Sequence, residues 1–145
     1  MQKILLCLML GLATPMLSHA ATPVAVTQAQ AEPLKIVIQV SDGDAKKWNL
    51  SLNNALNVQK EVGKSASVIE IVAFGPGINM LKFDSEVGAR VQEALAAGIS
   101  IVVCENSMHG MQLKPADMLA GVSYVKSGVV EIARKQQAGY AYIRP

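Results

Sequence analysis

The stretch Leu34-Lys35-Ile36-Val37-Ile38-Gln39-Val40-Ser41-Asp42-Gly43-Asp44 decides the fold class. Its first seven residues are rich in β-branched side chains, which suit a pleated and packed surface. The run is too apolar to leave one face in water, so it reads as a buried strand. Ser41 to Asp44 then supply a turn and side-chain oxygens able to cap a helix. Beyond them Trp48, Leu52, Ala55 and Val62 recur at helical spacing, with Leu56 beside them. This spacing predicts a helix over 45–62 that Gly63 ends.

The same alternation continues along the chain. Residues 67–74 form a second strand, broken by Gly75-Pro76-Gly77. After a short turn over 78–82, Asp84 or Ser85 is expected to cap a helix whose face is Val87, Val91, Ala94, Leu95 and Ala97, ending at Gly98. Residues 99–104 are a third strand, 106–112 a short helix and 114–119 a further turn. Residues 122–125 are a fourth strand, Ser127 caps a last helix through Ala138, and 140–144 are a fifth strand. Apolar strands alternating with helices predict an α/β protein, a three-layer α/β/α sandwich around a mostly parallel sheet of about five strands. Sites in such sheets gather at the carboxyl ends of the strands. Those ends here carry Ser41 and Asp42, Gly75 to Gly77, and Cys104 to Asn106.

The amino-terminal segment reads differently. Lys3, an apolar run over 4–17 and Ser18-His19-Ala20 match an export signal with cleavage after Ala20. Gly11 and Pro15 interrupt the run, which is shorter than the ~20 apolar residues of a spanning helix. The expected organisation is a signal peptide over 1–20, a flexible leader over 21–33 and one domain over 34–145. Cleavage would leave 145 − 20 = 125 residues, periplasmic or secreted, with no membrane attachment. Without Lys3 the chain has 12 basic and 11 acidic residues, a balance that gives nucleic acid no electrostatic footprint. Its aromatics are too few for a base-stacking platform.

Cys7 would leave with the signal, so Cys104 is the one cysteine of the mature chain. It heads Cys104-Glu105-Asn106-Ser107-Met108-His109-Gly110-Met111, which concentrates the soft and ionisable side chains of the protein. A thiolate needs a lowered pKa to react. Asn106 and Ser107 are candidate donors to it, His109 a candidate base, and Glu105 a charge that would oppose ionisation. Asp42, Gly75 and Gly77 are candidate rim residues. Gly75-Pro76-Gly77 lacks the Gly-Lys-Ser/Thr of a phosphate loop, and no paired carboxylates, Ser–His–Asp set or zinc-ligand spacing stands out, so no cofactor is expected. Asn49, Asn53 and Asn57 recur on the first helix as a solvated polar face or an interface.

Four pieces together resemble the DsrE/DsrF-like family. They are Gln39-Val40-Ser41-Asp42 with Trp48-Asn49-Leu50, Ala73-Phe74-Gly75-Pro76-Gly77-Ile78, Cys104-Glu105-Asn106-Ser107-Met108, and Tyr140-Ala141-Tyr142-Ile143-Arg144-Pro145. The resemblance implies an α/β/α fold, sulfur-relay chemistry, a trimeric or hexameric homo-oligomer and a persulfide on Cys104. Some relatives carry a second cysteine where this chain has Ser107, so no Cys-x-x-Cys pair exists. The expected activity is at most that of a sulfur carrier passing sulfur to a partner thiol. Two other readings stay open: an assembly module in which Cys104 only packs, and a Cu(I) protein using Cys104, Met108, His109 and Met111, since soft ligands suit that ion.

Overall fold

The computed structural model describes residues 32–145. The expected export signal and most of the expected leader lie outside the described residues. Among the described residues no helix is long and apolar enough to cross a membrane.

The chain runs β1 (Leu34–Val40), α1 (Ala45–Val62), a 3-10 turn (Lys64–Ala66), β2 (Ser67–Ala73), a longer 3-10 turn (Gly75–Leu81), α2 (Gly88–Ala96), β3 (Ser100–Cys104), α3 (Glu105–Gly110), a third 3-10 turn (Pro115–Asp117), β4 (Ser123–Val125), α4 (Gly128–Gln137) and β5 (Ala141–Ile143). The five strands form one sheet in the order β4-β3-β2-β1-β5. Every pairing in it is parallel. The α/β expectation and its parallel sheet therefore hold.

Strand order sets which helix covers which face. From β1 to β4 the chain steps outward in one direction, and right-handed crossovers put the connecting helices on one face. The return from β4 to β5 reverses direction, so α4 lies on the other. The packing follows this division. Ile36, Ile38, Val40, Ile69, Ile71, Ala73, Ile101 and Val103 point to the larger core, with Trp48, Leu52 and Ala55 of α1, Val91 and Ala94 of α2, and Met108 of α3. The alternate positions Val37, Val72 and Val102 pack on Ile132 of α4, as the two-residue period of a strand requires.

Helix ends follow their local chemistry. Asp44 caps α1, its side chain accepting from the Lys46 amide at 2.9 Å. Gly63, at φ 92°, closes it with a backbone bond to Gln59. Three expectations need correction. The second helix starts at Gly88, because Ser85 heads a separate turn: the Gly88 amide donates to the Ser85 carbonyl at 2.9 Å and the Val87 amide to the Ser85 hydroxyl at 3.4 Å. Ser127 holds the expected N-cap position of α4 but makes no side-chain capping bond. Val62, the last residue of α1, is 38% exposed and takes no part in the core.

Trp48 is buried, and its indole N–H donates to the Asp42 carbonyl at 2.7 Å. Over its first half the asparagine row is engaged within the chain. Arg90 of α2 donates to the side chains of both Asn49 and Asn53 and ties α1 to α2.

Candidate functional site

The connections at the carboxyl ends of β3 and β4 diverge. β3 leads into α3 on the face of α1 and α2, whereas β4 leads into α4 on the opposite face. Such a divergence between neighbouring parallel strands opens a crevice at their carboxyl edge, where α/β proteins bind ligands. Cys104, the last residue of β3, pairs in register with Val125, the last residue of β4. Its side chain faces α4.

Cys104 is buried, with 5% of the residue exposed. Its surroundings come from three segments. A 4.0 Å contact joins Sγ to the Lys126 carbonyl. The α4 amino terminus presses close: a Cβ built on Gly128 would lie 3.3 Å from Cys104 Cβ and 3.0 Å from Phe74 Cβ. Only a glycine lets this helix end approach without displacing Phe74 or the cysteine. Ser107 completes the set. The Gly75 amide donates to Ser107 Oγ at 2.8 Å, which occupies a hydroxyl lone pair and leaves the proton to point at sulfur.

Burial pushes the Cys104 thiol up and is the largest single influence on it. The Ser107 hydroxyl, then the amides of Gly128, Ser107 and Asn106, outweigh it and hold the thiol below its ordinary value. Hydrogen bonds to the charged form favour ionisation. The dipole at the first turn of α4 acts in the same sense, whereas α3, with six residues, adds little of its own.

The structure places the other candidates as follows. Gly75 is joined to the site through Ser107. Asn106 contributes its backbone amide, which donates to the Lys126 carbonyl at 3.2 Å, while its side chain is exposed. Gly77 sits behind the site, its backbone against Val40. Asp42 is not brought to the thiol: it pairs with Lys47 at 3.2 Å and Arg144 at 4.0 Å, tying β1 to α1 and β5. His109 lines a separate cleft of about 310 Å³ with Glu105, Met108, Leu113, Pro115 and Tyr124. Tyr124 pairs in register with Val103, so this cleft opens on the face away from the thiol. Glu105 turns into the same cleft, which keeps its charge from opposing the thiolate.

The four soft side chains do not converge. Met108 is buried in the larger core, Cys104 faces α4, and Met111 is 41% exposed at the surface. Among the described residues no group of three or more His, Cys, Asp or Glu is placed to hold a metal ion.

Sequence reasoning missed Lys126, Gly128 and Phe74. Gly128 carried a signal: glycine in a helix costs roughly 0.5–1 kcal/mol relative to alanine, so one in the first turn points to a packing demand. For Ser107→Ala we expect alkylation of Cys104 at neutral pH to slow by about tenfold, the scale of one hydrogen bond to a charged group. The pH midpoint of the reaction should move upward, because the thiolate loses a donor. Iodoacetamide rates across pH measure this, and an unmoved midpoint would remove Ser107 from the site.

Fold and site together define an all-parallel α/β protein with a recessed thiol where its β3 and β4 connections diverge. The chain belongs to the DsrE/DsrF-like family, whose model matches residues 34–145. Among solved structures it is similar to a protein of unknown function from Methanobacterium thermoautotrophicum, at 33% identity and a TM-score of 0.74, over 77% of this chain and 99% of that one. It also shares its fold with the YchN protein of E. coli, at 15% identity and a TM-score of 0.64, over 77% of this chain and 99% of that one. A conserved protein of unknown function from Bacteroides thetaiotaomicron is similar at 18% identity and a TM-score of 0.63, over 77% of this chain and 94% of that one. Comparison with curated proteins found no significant match.

Proposed function

We propose that this protein is an exported sulfane-sulfur carrier that uses Cys104, working as a homo-oligomer with a partner thiol. The observation that carries the reading is the placement of Cys104 at the end of β3, against the Gly128 end of α4 and beside Ser107, where local donors favour its thiolate. Membership in the DsrE/DsrF-like family supports a sulfur-relay role. Lys3, the apolar run over 4–17 and Ser18-His19-Ala20 support export.

The chemistry needs no oxidant. The Cys104 thiolate attacks the outer sulfur of a donor persulfide, forming a new S–S bond. The bond from that sulfur to the donor's inner sulfur breaks, and the electron pair leaves on the donor as a thiolate. An acceptor thiolate then attacks the outer sulfur of the Cys104 persulfide and returns Cys104 to its starting state. The same donors that favour the thiolate serve the persulfide anion.

The test is intact-mass analysis with peptide mapping after exposure to a persulfide donor. Wild type is expected to gain one reductant-labile sulfur at Cys104, and Cys104→Ser none. Equal sulfur on both proteins would sink the reading. One observation favours a second reading, an assembly module with a structural cysteine: Cys104 is 5% exposed as a residue. A Cys104 that resists iodoacetamide in the folded protein and reacts only on unfolding would decide for that module.

A further inference from the structure

Among the described residues β4 is an outer strand of the sheet, paired on one side with β3. No main-chain group of Ser123, Tyr124 or Val125 bonds to a described segment other than β3, and Ser123 and Tyr124 are exposed. An uncovered edge offers its N–H and C=O groups to an added strand. At three residues this edge is too short to hold a partner by main-chain bonds alone, so side-chain seats must contribute. Such seats lie on both faces of it. Tyr124 lines the cleft of about 310 Å³ on the α3 face, whose apolar walls are Met108, Leu113 and Pro115. Val125, the next residue, lines a groove of about 340 Å³ on the α4 face with Val130, Lys126 and Arg134. Successive residues of β4 thus open onto hollows on opposite faces. A strand laid beside β4 at the usual ~4.8 Å sends its own successive side chains to the same two faces.

Charge selects the occupant. Glu131 of the α4-face groove is engaged by Lys135 at 3.6 Å. Among the described residues Lys126 and Arg134 form no ion pair, and both are exposed. Acidic side chains complement that face. The apolar walls of the α3-face cleft favour aliphatic ones, which leave water on entering it. A second copy of this chain fits less well. Antiparallel pairing of β4 with its own counterpart sets the two α4-face grooves toward each other across the twofold axis. Lys126 and Arg134 of one copy would then meet the same cations of the other, and like charges oppose the pairing.

We infer that the edge of β4 docks an extended segment of a partner protein, added to the sheet as a new outer strand. Aliphatic side chains of that segment enter the α3-face cleft beside Tyr124, and the alternating acidic ones meet Lys126 and Arg134. The docking site is separate from the thiol and does not depend on what Cys104 does.

The probe is a short, capped, fluorescein-labelled peptide of alternating Leu and Glu, titrated into the full chain and read by fluorescence anisotropy. Saturable binding is expected, with slower amide exchange at Ser123 to Val125. N-methylation of the Leu set or of the Glu set blocks one peptide edge at a time. One of the two methylated peptides should bind about tenfold more weakly than the other, the scale of a few lost main-chain hydrogen bonds. Lys126→Gln/Arg134→Gln should weaken the unmethylated peptide about three- to tenfold, and added salt should weaken it on wild type. Cys104→Ser should bind it as wild type does, which keeps this test apart from the sulfur reading. No saturable binding, or equal binding of the two methylated peptides, overturns strand addition. A Leu–Lys peptide that binds as well as the Leu–Glu one overturns the acidic occupant. β4 amides already protected in the free protein, and losing protection on dilution, would give the edge to a second copy and overturn the partner.

Discussion

Gly77→Ala is expected to destabilise the protein by about 3 kcal/mol, the upper range for forcing extra volume into a packed interior. A Cβ built at Gly77 lies 2.2 Å from the Val40 carbonyl oxygen, 2.6 Å from the Val40 carbonyl carbon and 3.0 Å from Ser41 Cα. All three are main-chain atoms at the end of the interior strand β1, so no side chain can swing aside. Relief requires the whole 3-10 turn to lift, and that turn carries the buried residues Ile78, Met80 and Leu81. It also holds the Gly75 amide against Ser107. The variant should therefore lose stability and alter Cys104 reactivity together. Urea titration measures the first and iodoacetamide the second. A midpoint equal to wild type would mean that Gly77 and Val40 do not meet.

Removing Lys135, in the last turn of α4, should have the next largest effect. Glu70 is buried on β2, with one carboxylate oxygen accepting from Lys135 Nζ at 2.8 Å and from Ser100 Oγ at 3.2 Å. Its other oxygen has no partner among the described residues. Lys135 also sits 5.0 Å from the centre of the Tyr140 ring. In Lys135→Met the carboxylate loses its cation in a site only 8% exposed. Breaking a buried pair from one side costs about 3–5 kcal/mol. The lysine side chain is 23% exposed, so water softens the loss to roughly 2 kcal/mol.

Glu70→Leu/Lys135→Met should recover most of that loss, because a matched apolar pair leaves no charge stranded. A double-mutant cycle in urea separates the coupling from the single costs, and no recovery in the double variant would count against the pair. For the pH dependence, burial pulls the lysine down and is its largest influence, but the bond and charge of Glu70, with smaller help from Tyr140 and Glu131, hold it above its ordinary value of 10.5. A raised lysine stabilises the fold fully below its unfolded value and loses that contribution as pH climbs through the folded value. The Lys135→Met deficit should thus be flat through neutral pH and shrink only in strong alkali.

Much of the fold was legible because its signals are local. The β-branched run over Leu34–Val40, the capping Asp44, and Gly63 at positive φ each act within a few residues. Where a local signal had two outlets, the sequence misled. Ser85 has the chemistry of a helix cap and serves a turn before the helix instead. Asn49 and Asn53 look like surface until Arg90, remote in sequence, donates to both. The site was legible only in part. Cys104, Ser107 and Gly75 come together as strand-end residues should. His109 was drawn in by nearness in sequence, but the pleat sends its cleft to the far face.

The sequence by itself determined the elements, the parallel sheet and the place of Cys104 at a strand end, because periodicity and capping are short-range. Only the tertiary structure decided the strand order, which depends on packing between segments far apart in the chain. That order makes β4 the neighbour of β3 and sends α4 alone across the face of the thiol. It thereby replaces Asp42, Glu105 and His109 at the sulfur with the Gly128 amide, the Lys126 carbonyl and the Ser107 hydroxyl.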